Sequence, residues 1–458
     1  MDLSARLIES GLKKEQIITS IDGLFCYGYD ATRQIGRPRL VVLPTTAEQI
    51  ATIISLANRE KIAVFPRGAG SGMSGGSVPV TDGIVISLTE MKKILDLDLE
   101  NMTVLVEPGV ITGELQEEVK KHGLMYPPDP ASLAFSTLGG NVAENAGGPR
   151  AVKYGVTSQY VRGLEVVLPD GKIIKTGNKC IKSVSGYDLT HLFVGSEGTL
   201  GVITKILLRL VPAPKAVQTM LLGFATMDNA AQAITAMFHQ HIIPATIEFL
   251  DHYSINAVKD SLPFTIPKTV KTLLLVEVDG DQDLVERDTE TIKKLLEDNT
   301  LMLMVATTTN ERQAVWQARR ALSPAIASLA PHKINEDIAV PIAQIPAVLR
   351  RFEEISRQTK LTIVCFGHAG DGNIHVNIML DKNDPLQAAA GEQALKEIFS
   401  AVIELGGTLS GEHGIGNTKS DFFSLEWDSN TITAMRLIKK AFDPNNILNP
   451  GKIFPVNR

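Results

Sequence analysis

Residues 367–375 read Gly-His-Ala-Gly-Asp-Gly-Asn-Ile-His, and this segment constrains the fold of the chain more than any other. Its Asp371-Gly372 pair is the strongest short-range signal for a two-residue β-hairpin turn, and apolar runs flank the pair on both sides. A turn at this pair predicts that His368 and His375 lie directly opposite each other, with Cβ atoms about 5 Å apart. Two imidazoles at that spacing can bind one metal ion, although a polar hairpin without a metal would show the same pattern.

Two further features extend this candidate metal site. Asn377 follows His375 by two residues and is therefore expected on the same face of the strand. Farther along the chain, Glu412 and His413 lie between glycines in a second short segment, which offers a carboxylate and a third imidazole. Two histidines and one carboxylate leave coordination positions open for a substrate. The alternative is that the second segment is a glycine turn unrelated to the hairpin.

The composition is typical of a soluble globular protein with more than one domain. At 458 residues the chain exceeds one ordinary hydrophobic core, and its apolar and charged fractions are 44% and 21%. The cysteines, Cys26, Cys180 and Cys365, form no Cys-x-x-Cys motif. Their spacing excludes a self-contained iron–sulfur cluster and fits a reducing cytosol.

Charge and hydropathy limit the expected location and partners. A net charge of −6 gives no electrostatic reason to expect nucleic acid. The N-terminus lacks the basic and apolar regions of a signal peptide, and no uncharged apolar run reaches the roughly 18 residues of a membrane span. We therefore expect a cytoplasmic protein without a transmembrane segment, which would be peripheral to a membrane only through a partner.

The order of predicted elements indicates an α+β fold. Helices are predicted at 5–20 and 49–60, and short strands separated by glycine-rich loops follow as far as residue 210. Residues 211–215, Val-Pro-Ala-Pro-Lys, then predict a linker. Beyond it, repeated strand–helix–strand patterns predict a ferredoxin-like, antiparallel, open-faced sheet. The predicted domains span residues 1–214, 215–410 and 411–458.

Three glycine-rich loops lie in the first predicted domain, at residues 66–76, 136–148 and 195–204. Glycines expose backbone N–H groups and tolerate positive φ, so the first loop, which follows a predicted strand, can wrap a pyrophosphate. It is not a Walker A loop, because no Gly-Lys-Ser/Thr follows, and it lacks the helix and the acidic residue of a dinucleotide-binding fingerprint. Each loop alone could be a plain glycine turn, but three together favour one long ligand held along its length.

These blocks, in this order, resemble the FAD-binding domain of the vanillyl-alcohol oxidase/para-cresol methylhydroxylase (PCMH) superfamily, and the resemblance covers residues 40–454. It implies a PCMH-type FAD-binding domain of two α+β subdomains, an antiparallel cap domain and a C-terminal segment that returns to the flavin. The implied FAD-binding residues are Arg67, Gly68, Ala69, Gly70, Ser71, Gly72, Pro128, Thr137, Gly140, Asn141, Asn145, Gly147, Glu197, Gly198, Ile203 and Asn449. Some relatives attach FAD covalently through a histidine at the position of Ser71, so FAD is expected to be noncovalent here.

The C-terminal half resembles the branch that holds FAD-linked D-lactate dehydrogenases, the glycolate oxidase D subunit and D-2-hydroxyglutarate dehydrogenases. By this resemblance His368, His375 and Glu412 would hold a divalent metal, which would be zinc, manganese or iron. His413 would stand beside the flavin as the general base.

Arg319 and Asn377 are the candidate contacts for a substrate carboxylate. Arg319 lies in the sequence Trp-Gln-Ala-Arg, and an arginine fork matches a carboxylate bidentately. The alternative is a solvated basic helix, because other arginines lie nearby. Asn335 stands where 2-hydroxyglutarate dehydrogenases carry a lysine, which weakens that assignment, and Lys333 could substitute only if the backbone shifted.

The sequence therefore predicts an enzyme that depends on FAD and a divalent metal and oxidises a small D-2-hydroxy acid by hydride transfer to flavin N5, with D-lactate favoured. Glycolate and D-2-hydroxyglutarate are the alternative substrates. A metal-dependent hydrolase and a flavin-bearing electron-transfer subunit without its own catalysis are the alternative classes. Because the chain lacks iron–sulfur ligands, a partner is expected to accept the electrons. This partner would be an electron-transferring flavoprotein or an iron–sulfur subunit, with a quinone or a cytochrome also open.

Overall fold

The computed structural model describes residues 3–262 and 264–455, which group into two compact units. The first unit consists of Met1–Gly147, Val156–Ala213 and Glu412–Arg458. The second unit consists of Gly148–Gly155 and Pro214–Gly411. The chain therefore leaves the first unit twice and returns to it twice, so its C-terminal segment groups with its N-terminal half.

The helices, in chain order, are α1 (Leu3–Glu9), α2 (Ile21–Cys26), α3 (Ala47–Glu60), α4 (Thr112–Lys120), α5 (Leu138–Glu144), α6 (Ala151–Tyr154), α7 (Leu189–Phe193), α8 (Met227–His239), α9 (His252–Val258), α10 (Gln282–Leu296), α11 (Thr309–Arg320), α12 (Leu322–Ala325), α13 (Ile345–Thr359), α14 (Pro385–Glu404), α15 (Phe423–Glu426) and α16 (Ser429–Phe442). The strands are β1 (Ile17–Ile18), β2 (Leu40–Val42), β3 (Ala63–Arg67), β4 (Gly83–Ser87), β5 (Ile94–Asp98), β6 (Thr103–Val106), β7 (Leu124–Met125), β8 (Val161–Val167), β9 (Ile173–Gly177), β10 (Val202–Arg209), β11 (Val211–Pro212), β12 (Ala216–Phe224), β13 (Thr246–Leu250), β14 (Thr272–Gly280), β15 (Met302–Val305), β16 (His332–Ala339), β17 (Thr362–His368) and β18 (Asn373–Leu380). Within the described ranges, no helix combines the length and the apolar character that crossing a membrane requires.

Two sheets form the framework of the first unit. One has the strand order β1-β2-β4-β3, in which β2, β4 and β3 are parallel and β1 is antiparallel to β2. Helix α3 begins at the N-cap Thr46, and it buries Ile50, Ile53 and Ile54 in the core formed with this sheet. The other sheet is antiparallel, with the order β5-β6-β10-β8-β9.

One seven-stranded antiparallel sheet, β15-β12-β14-β13-β17-β18-β16, forms the second unit. Its first four strands, with α8 and α10, follow the ferredoxin-like order, because the last strand of the motif lies beside the first and the third lies between the first and the second. Helices α8, α10, α13 and α14 form one layer against the sheet. Residues of α9, α11 and α12 pack on side chains of the other face. The predicted α+β class and the antiparallel cap sheet are confirmed.

The helix predicted at 5–20 is wrong beyond Glu9. Gly11 has a φ of +100°, which a helix cannot continue through, and a single turn of 3₁₀-helix follows at Lys14–Gln16. Ile17 and Ile18 then pair with β2 as the edge strand β1. The backbone hydrogen bonds of the pairing outweigh the helix-like spacing of the side chains in this segment.

Candidate active site

The three glycine-rich loops of the first unit converge on one cleft. Predicted residues that line it are Arg67, Gly68, Ala69, Gly70, Ser71, Gly72, Thr137, Gly140, Asn141, Glu197, Gly198 and Ile203. Glu412 and His413, from the C-terminal segment of the same unit, line it as well. The wall also includes residues that were not predicted, among them Pro130, Ala131, Ser132 and Glu144. Pro130, Ala131 and Ser132 lie shortly before the second loop, and Glu144 lies within it.

The first loop presents its backbone to the cleft. The six N–H groups from Gly68 to Met73 donate to no acceptor among the described residues. Gly68 has to be a glycine, because a Cβ there would lie 2.2 Å from the hydroxyl oxygen of Thr137. Consecutive backbone N–H groups of this kind form an anion-binding concavity. The loop can therefore cradle a pyrophosphate.

Arg67 is buried behind this loop. Its Nη1 atom donates to the carbonyl oxygen of Tyr29 at 2.6 Å and to the hydroxyl of Ser77 at 3.2 Å. Its guanidinium also lies beneath Gly70, where a Cβ would collide with it. Burial holds the pKa of Arg67 below its usual value, but a guanidinium stays charged at neutral pH. Arg67 thus braces the loop and places a positive charge below the N–H groups.

Glu197 joins the third loop to the C-terminal segment. Its carboxylate accepts hydrogen bonds from the backbone N–H groups of Ile415 and Gly416, at 2.8 and 2.7 Å. Its carbonyl oxygen accepts a further bond from the side-chain amide of Asn449 at 2.7 Å. Burial raises the pKa of Glu197, against the effect of these donors. The cleft therefore depends on hydrogen bonds between the third loop and the C-terminal segment.

Four predicted FAD-binding residues do not line the cleft. Asn449 lies behind the wall and also donates to the carbonyl oxygen of Gly76 at 2.9 Å. Asn145 ends α5 and accepts a hydrogen bond from the N–H of Ser158 at 2.8 Å. The other two are Pro128, whose carbonyl oxygen accepts from Gln116, and Gly147, where a Cβ would lie 3.1 Å from Oε2 of Glu412. These positions support the wall of the cleft.

The hairpin of the second unit forms, but with a different register from the one predicted. His368 is the cross-strand partner of Asn373, and His375 is the partner of Phe366, so a four-residue loop replaces the predicted two-residue turn at Asp371-Gly372. Packing explains the difference, because Gly372, at a φ of +88°, lies so close to β16 that a Cβ would be 2.0 Å from the carbonyl oxygen of Val340. The two histidines still share one face of the sheet. Their ring centroids are 5.2 Å apart, and one nitrogen of each ring lies within 4.8 Å of the other.

A buried carboxylate that the sequence analysis missed contacts this face. Glu248, on β13, is fully buried, and its Oε1 atom is hydrogen-bonded to Nδ1 of His368. Its Oε2 atom accepts a hydrogen bond from Nε of Arg319 and is ion-paired with Nη2 of the same guanidinium, which stacks over the ring of Phe366 at 5.0 Å. Burial by itself would raise the pKa of Glu248, but Arg319 and His368 hold it below its usual value. Its signal in the sequence was a lone acidic residue within an apolar strand.

The predicted substrate contacts lie in the same unit. Nη1 of Arg319 makes no hydrogen bond to any residue that the structure describes. Asn377 is fully buried two residues beyond His375, and its Oδ1 atom has no partner in the described ranges. Asn335 is its cross-strand partner. Lys333 projects from the same face of β16, and its ammonium donates to the hydroxyl of Ser323 at 2.8 Å.

His413 and Glu412 are adjacent and largely buried in the wall of the cleft. Nε2 of His413 lies 3.7 Å from Oε1 of Glu412, so the carboxylate is close enough to stabilise a protonated ring. This pair gives the cleft an acid–base group and an anionic group side by side. A cleft with a backbone cradle at one side and an imidazole at the other can hold a cofactor and carry out proton transfer next to it.

Two family models match the chain. The FAD binding domain matches residues 38–177, and the C-terminal domain of FAD linked oxidases matches residues 213–453. The protein therefore belongs to the FAD-linked oxidase family and is a flavoprotein oxidoreductase with an FAD-binding domain. The predicted family is confirmed.

Similarity to individual proteins covers almost the whole chain. The glycolate oxidase subunit GlcD of Bacillus subtilis is 42% identical over 456 residues, which are 99% of this chain and 97% of the relative. The D-lactate dehydrogenase of Anaerostipes hadrus is 37% identical over 431 residues, which are 91% of this chain and 90% of the relative. A crystal structure of p-cresol methylhydroxylase with substrate bound has a TM-score of 0.80 at 17% identity, covers 99% and 97% of the two chains, and supports the fold alone.

Proposed function

We propose that this protein oxidises a small D-2-hydroxy acid, with D-lactate preferred, by hydride transfer to N5 of a noncovalently bound FAD. A divalent metal held by His368, His375 and Glu412 assists the reaction. The observation that carries the proposal is the close pair of imidazoles on the hairpin, in a chain that also has an FAD-binding domain. The similarity to a glycolate oxidase subunit and to a D-lactate dehydrogenase supports the substrate class.

FAD fits the first unit because the N–H groups from Gly68 to Met73 would bind its pyrophosphate, with the charge of Arg67 beneath them. When bound, the flavin accepts the hydride. Ser71 stands where some relatives use a histidine for covalent attachment, so contacts alone hold the cofactor. Acid precipitation should therefore release intact FAD into the supernatant, and colour that stayed with the denatured chain would contradict the noncovalent assignment.

The metal fits the donor set, because imidazole and carboxylate ligands suit a borderline ion such as zinc, manganese or iron. Nδ1 of His368 is engaged by Glu248, which leaves Nε2 as the nitrogen that would bind the ion. Glu412, the first residue of the C-terminal segment Glu412–Arg458, would supply the carboxylate. When bound, the metal supplies Lewis acidity that lowers the pKa of the substrate hydroxyl.

The protein side chains bind the substrate and move its proton. Arg319, through Nη1, and Asn377, through its amide, would bind the carboxylate of the hydroxy acid. His413 would take the hydroxyl proton on a ring nitrogen, and the carboxylate of Glu412 would stabilise the ring once it is protonated. The hydride then leaves Cα, so the proton and the electron pair depart to different acceptors.

The charged groups on the sheet favour a substrate with one carboxylate over a substrate with two. Arg319 provides one cation for one carboxylate, which suits D-lactate, and glycolate is the close alternative because one relative is a glycolate oxidase subunit. A second carboxylate would need a second cation, and Asn335 provides none. Lys333 is two residues away and is hydrogen-bonded to Ser323. D-2-hydroxyglutarate is therefore the weakest of the three substrates.

Electrons would pass from the flavin to a partner protein. One relative is a subunit of a larger oxidase, which supports an accessory subunit here, and an iron–sulfur protein or an electron-transferring flavoprotein would suit the task. Purification under native conditions would identify such a partner. A hydrolase that uses the metal without flavin is disfavoured because the family has an FAD-binding domain.

The deciding experiment measures steady-state rates with an artificial electron acceptor. D-lactate, L-lactate, glycolate and D-2-hydroxyglutarate are compared at equal enzyme, flavin and metal content. We expect the highest kcat/KM with D-lactate and little activity with L-lactate. Flavin reduction by none of the four acids would instead indicate an electron-transfer subunit without its own catalysis, and a higher kcat/KM with glycolate would change the substrate while leaving the mechanism intact.

A further inference from the structure

Glu248 is an acidic side chain on the sheet face of the hairpin that the proposed mechanism does not yet use. It lies on β13 directly opposite His368, and it is fully buried. Each of its two oxygens has its own partner, Nδ1 of His368 for Oε1 and the Nε and Nη2 atoms of Arg319 for Oε2. One carboxylate therefore contacts both a proposed metal ligand and the proposed substrate contact.

The hydrogen bonds of Glu248 determine the tautomer of His368 and the orientation of the Arg319 guanidinium. An ionised carboxylate only accepts hydrogen bonds, so Nδ1 of His368 carries the proton and Nε2 keeps its lone pair for a metal. The same carboxylate holds two of the three guanidinium nitrogens of Arg319, which leaves Nη1 for a ligand. Carboxylates that orient metal-binding histidines in this way raise the basicity of the ring and fix its direction.

We propose that Glu248 is a positioning residue that sets the tautomer of His368 for the metal and aims Arg319 at the substrate carboxylate. Metal binding and substrate binding are then coupled through one side chain. The inference rests on the proposed function, because it assumes that His368 binds a metal and that Arg319 binds an acid.

Glu248→Gln removes this dual role while keeping the shape. A glutamine has one accepting oxygen and one NH₂ group, so it cannot accept from His368 and Arg319 at once. If the NH₂ group faces the ring, Nδ1 must accept, the proton moves to Nε2, and the metal-binding lone pair is lost. If the NH₂ group faces Arg319 instead, two donors oppose each other and the guanidinium turns away.

Glu277 offers a matched control on the same face of the sheet. It is buried on β14, and its carboxylate accepts from the hydroxyl of Thr219 at 2.7 Å and from the indole N–H of Trp316 at 2.9 Å. Neither His368 nor Arg319 is a hydrogen-bond partner of Glu277 in the described structure. Glu277→Gln therefore tests the general cost of replacing a buried carboxylate here.

The test is calorimetric titration of Zn²⁺ into metal-stripped, flavin-loaded protein, together with KM for D-lactate. Glu248→Gln should weaken Zn²⁺ binding by about 10- to 100-fold and raise KM, whereas Glu277→Gln should bind Zn²⁺ within about 2-fold of the wild type. Glu248→Asp retains the charge and should fall between Glu248→Gln and the wild type. If Glu248→Gln does not fold, Glu248→Asp is used for the same measurements in its place.

The outcomes separate the inference from the proposed function. Wild-type Zn²⁺ affinity in Glu248→Gln, or an equal loss in Glu277→Gln, overturns the positioning role. If the wild type itself binds no Zn²⁺, or if His375→Ala binds it as tightly as the wild type, the metal site of the proposed function fails first.

Discussion

The rings of His368 and His375 meet edge to face, with centroids 5.2 Å apart and planes 85° apart, although each residue has a different cross-strand partner. The offset between them is two residues, which keeps both side chains on one face of the sheet. An offset of one residue would have turned one ring to the opposite face. The diagonal arrangement therefore keeps both imidazole rings on one face of the sheet and also allows a longer loop.

Replacing one of these rings should remove the metal and the activity together. In His375→Ala we expect bound metal to fall to background and turnover of D-lactate to fall in parallel, because one imidazole and one carboxylate hold a divalent ion weakly. FAD content should be unchanged, since the cleft residues belong to the first unit. Metal analysis and flavin absorbance on one preparation measure both, and His122→Ala is the control. Full activity after thorough metal removal would refute the role of the ion.

Gly68 should be required for FAD binding because of its close approach to Thr137. Gly68→Ala places a Cβ 2.2 Å from the hydroxyl oxygen of Thr137, so the loop must shift and the FAD content of the purified protein should drop several-fold. In a Thr137→Ala background that oxygen is absent, and the same change should cost much less. Flavin absorbance of the four proteins in this double-mutant cycle gives the coupling. Equal losses in both backgrounds would show that the steric contact is not the cause.

His413 should be needed for turnover but not for binding. General-base catalysis typically contributes 10²–10⁴-fold, so His413→Ala should lose activity on about that scale while retaining FAD and metal. The reason is that the ring lines the cleft beside Glu412. Steady-state rates, metal analysis and flavin absorbance on the same preparation decide the matter. Loss of the metal as well would make His413 a ligand, and the base would have to be sought elsewhere.

Because of Lys452, the free energy of unfolding should increase as the pH rises above about 8. It is buried, donates to the carbonyl oxygens of Gly75 and Val78, and faces the carboxylates of Asp30, Glu144 and Glu197, yet burial lowers its pKa to about 8. The unfolded pKa is about 10.4, so between about pH 8 and 10.4 the unfolded chain binds more protons at this site and folding becomes more favourable as pH rises.

The measurement for Lys452 is the free energy of unfolding in urea at pH 8.5 and 9.5. The free energy of unfolding of the wild type, minus that of Lys452→Met, should increase by up to about 1.4 kcal/mol over this unit of pH. The reason is that the variant has no group that titrates at this position. Taking the difference cancels the other groups that titrate in the same range. A difference that stays constant with pH would mean that the pKa of Lys452 is not lowered.

The sequence reveals the hairpin but not its register. The Asp-Gly signal and the flanking apolar runs are local, and they predicted two paired strands with both histidines on one face. The loop length depends on Val340 and Val152, which lie against Gly372 and Gly370 and are remote in sequence. Tertiary packing therefore decided what local turn chemistry could not.

Glu248 shows a second limit of prediction from the sequence. Its neighbours along the strand are apolar, and no motif marks it, whereas the glycine loops and the histidines belong to recognisable patterns. A charged residue in a buried strand requires partners, which is a general rule that could have flagged it. The identity of those partners, 71 and 120 residues away, follows only from the fold.

The hydrogen bonds of Glu197 determine when, during synthesis of the chain, the cleft can be completed. Its two backbone donors, Ile415 and Gly416, are 218 and 219 residues later in the chain. At roughly 5–20 residues per second, a ribosome needs on the order of 10–40 s to produce them after Glu197 has been added. Throughout that interval the growing chain has the glycine-rich loops but lacks one wall of the cleft, so under the proposed function we expect stable flavin loading only when synthesis is nearly finished.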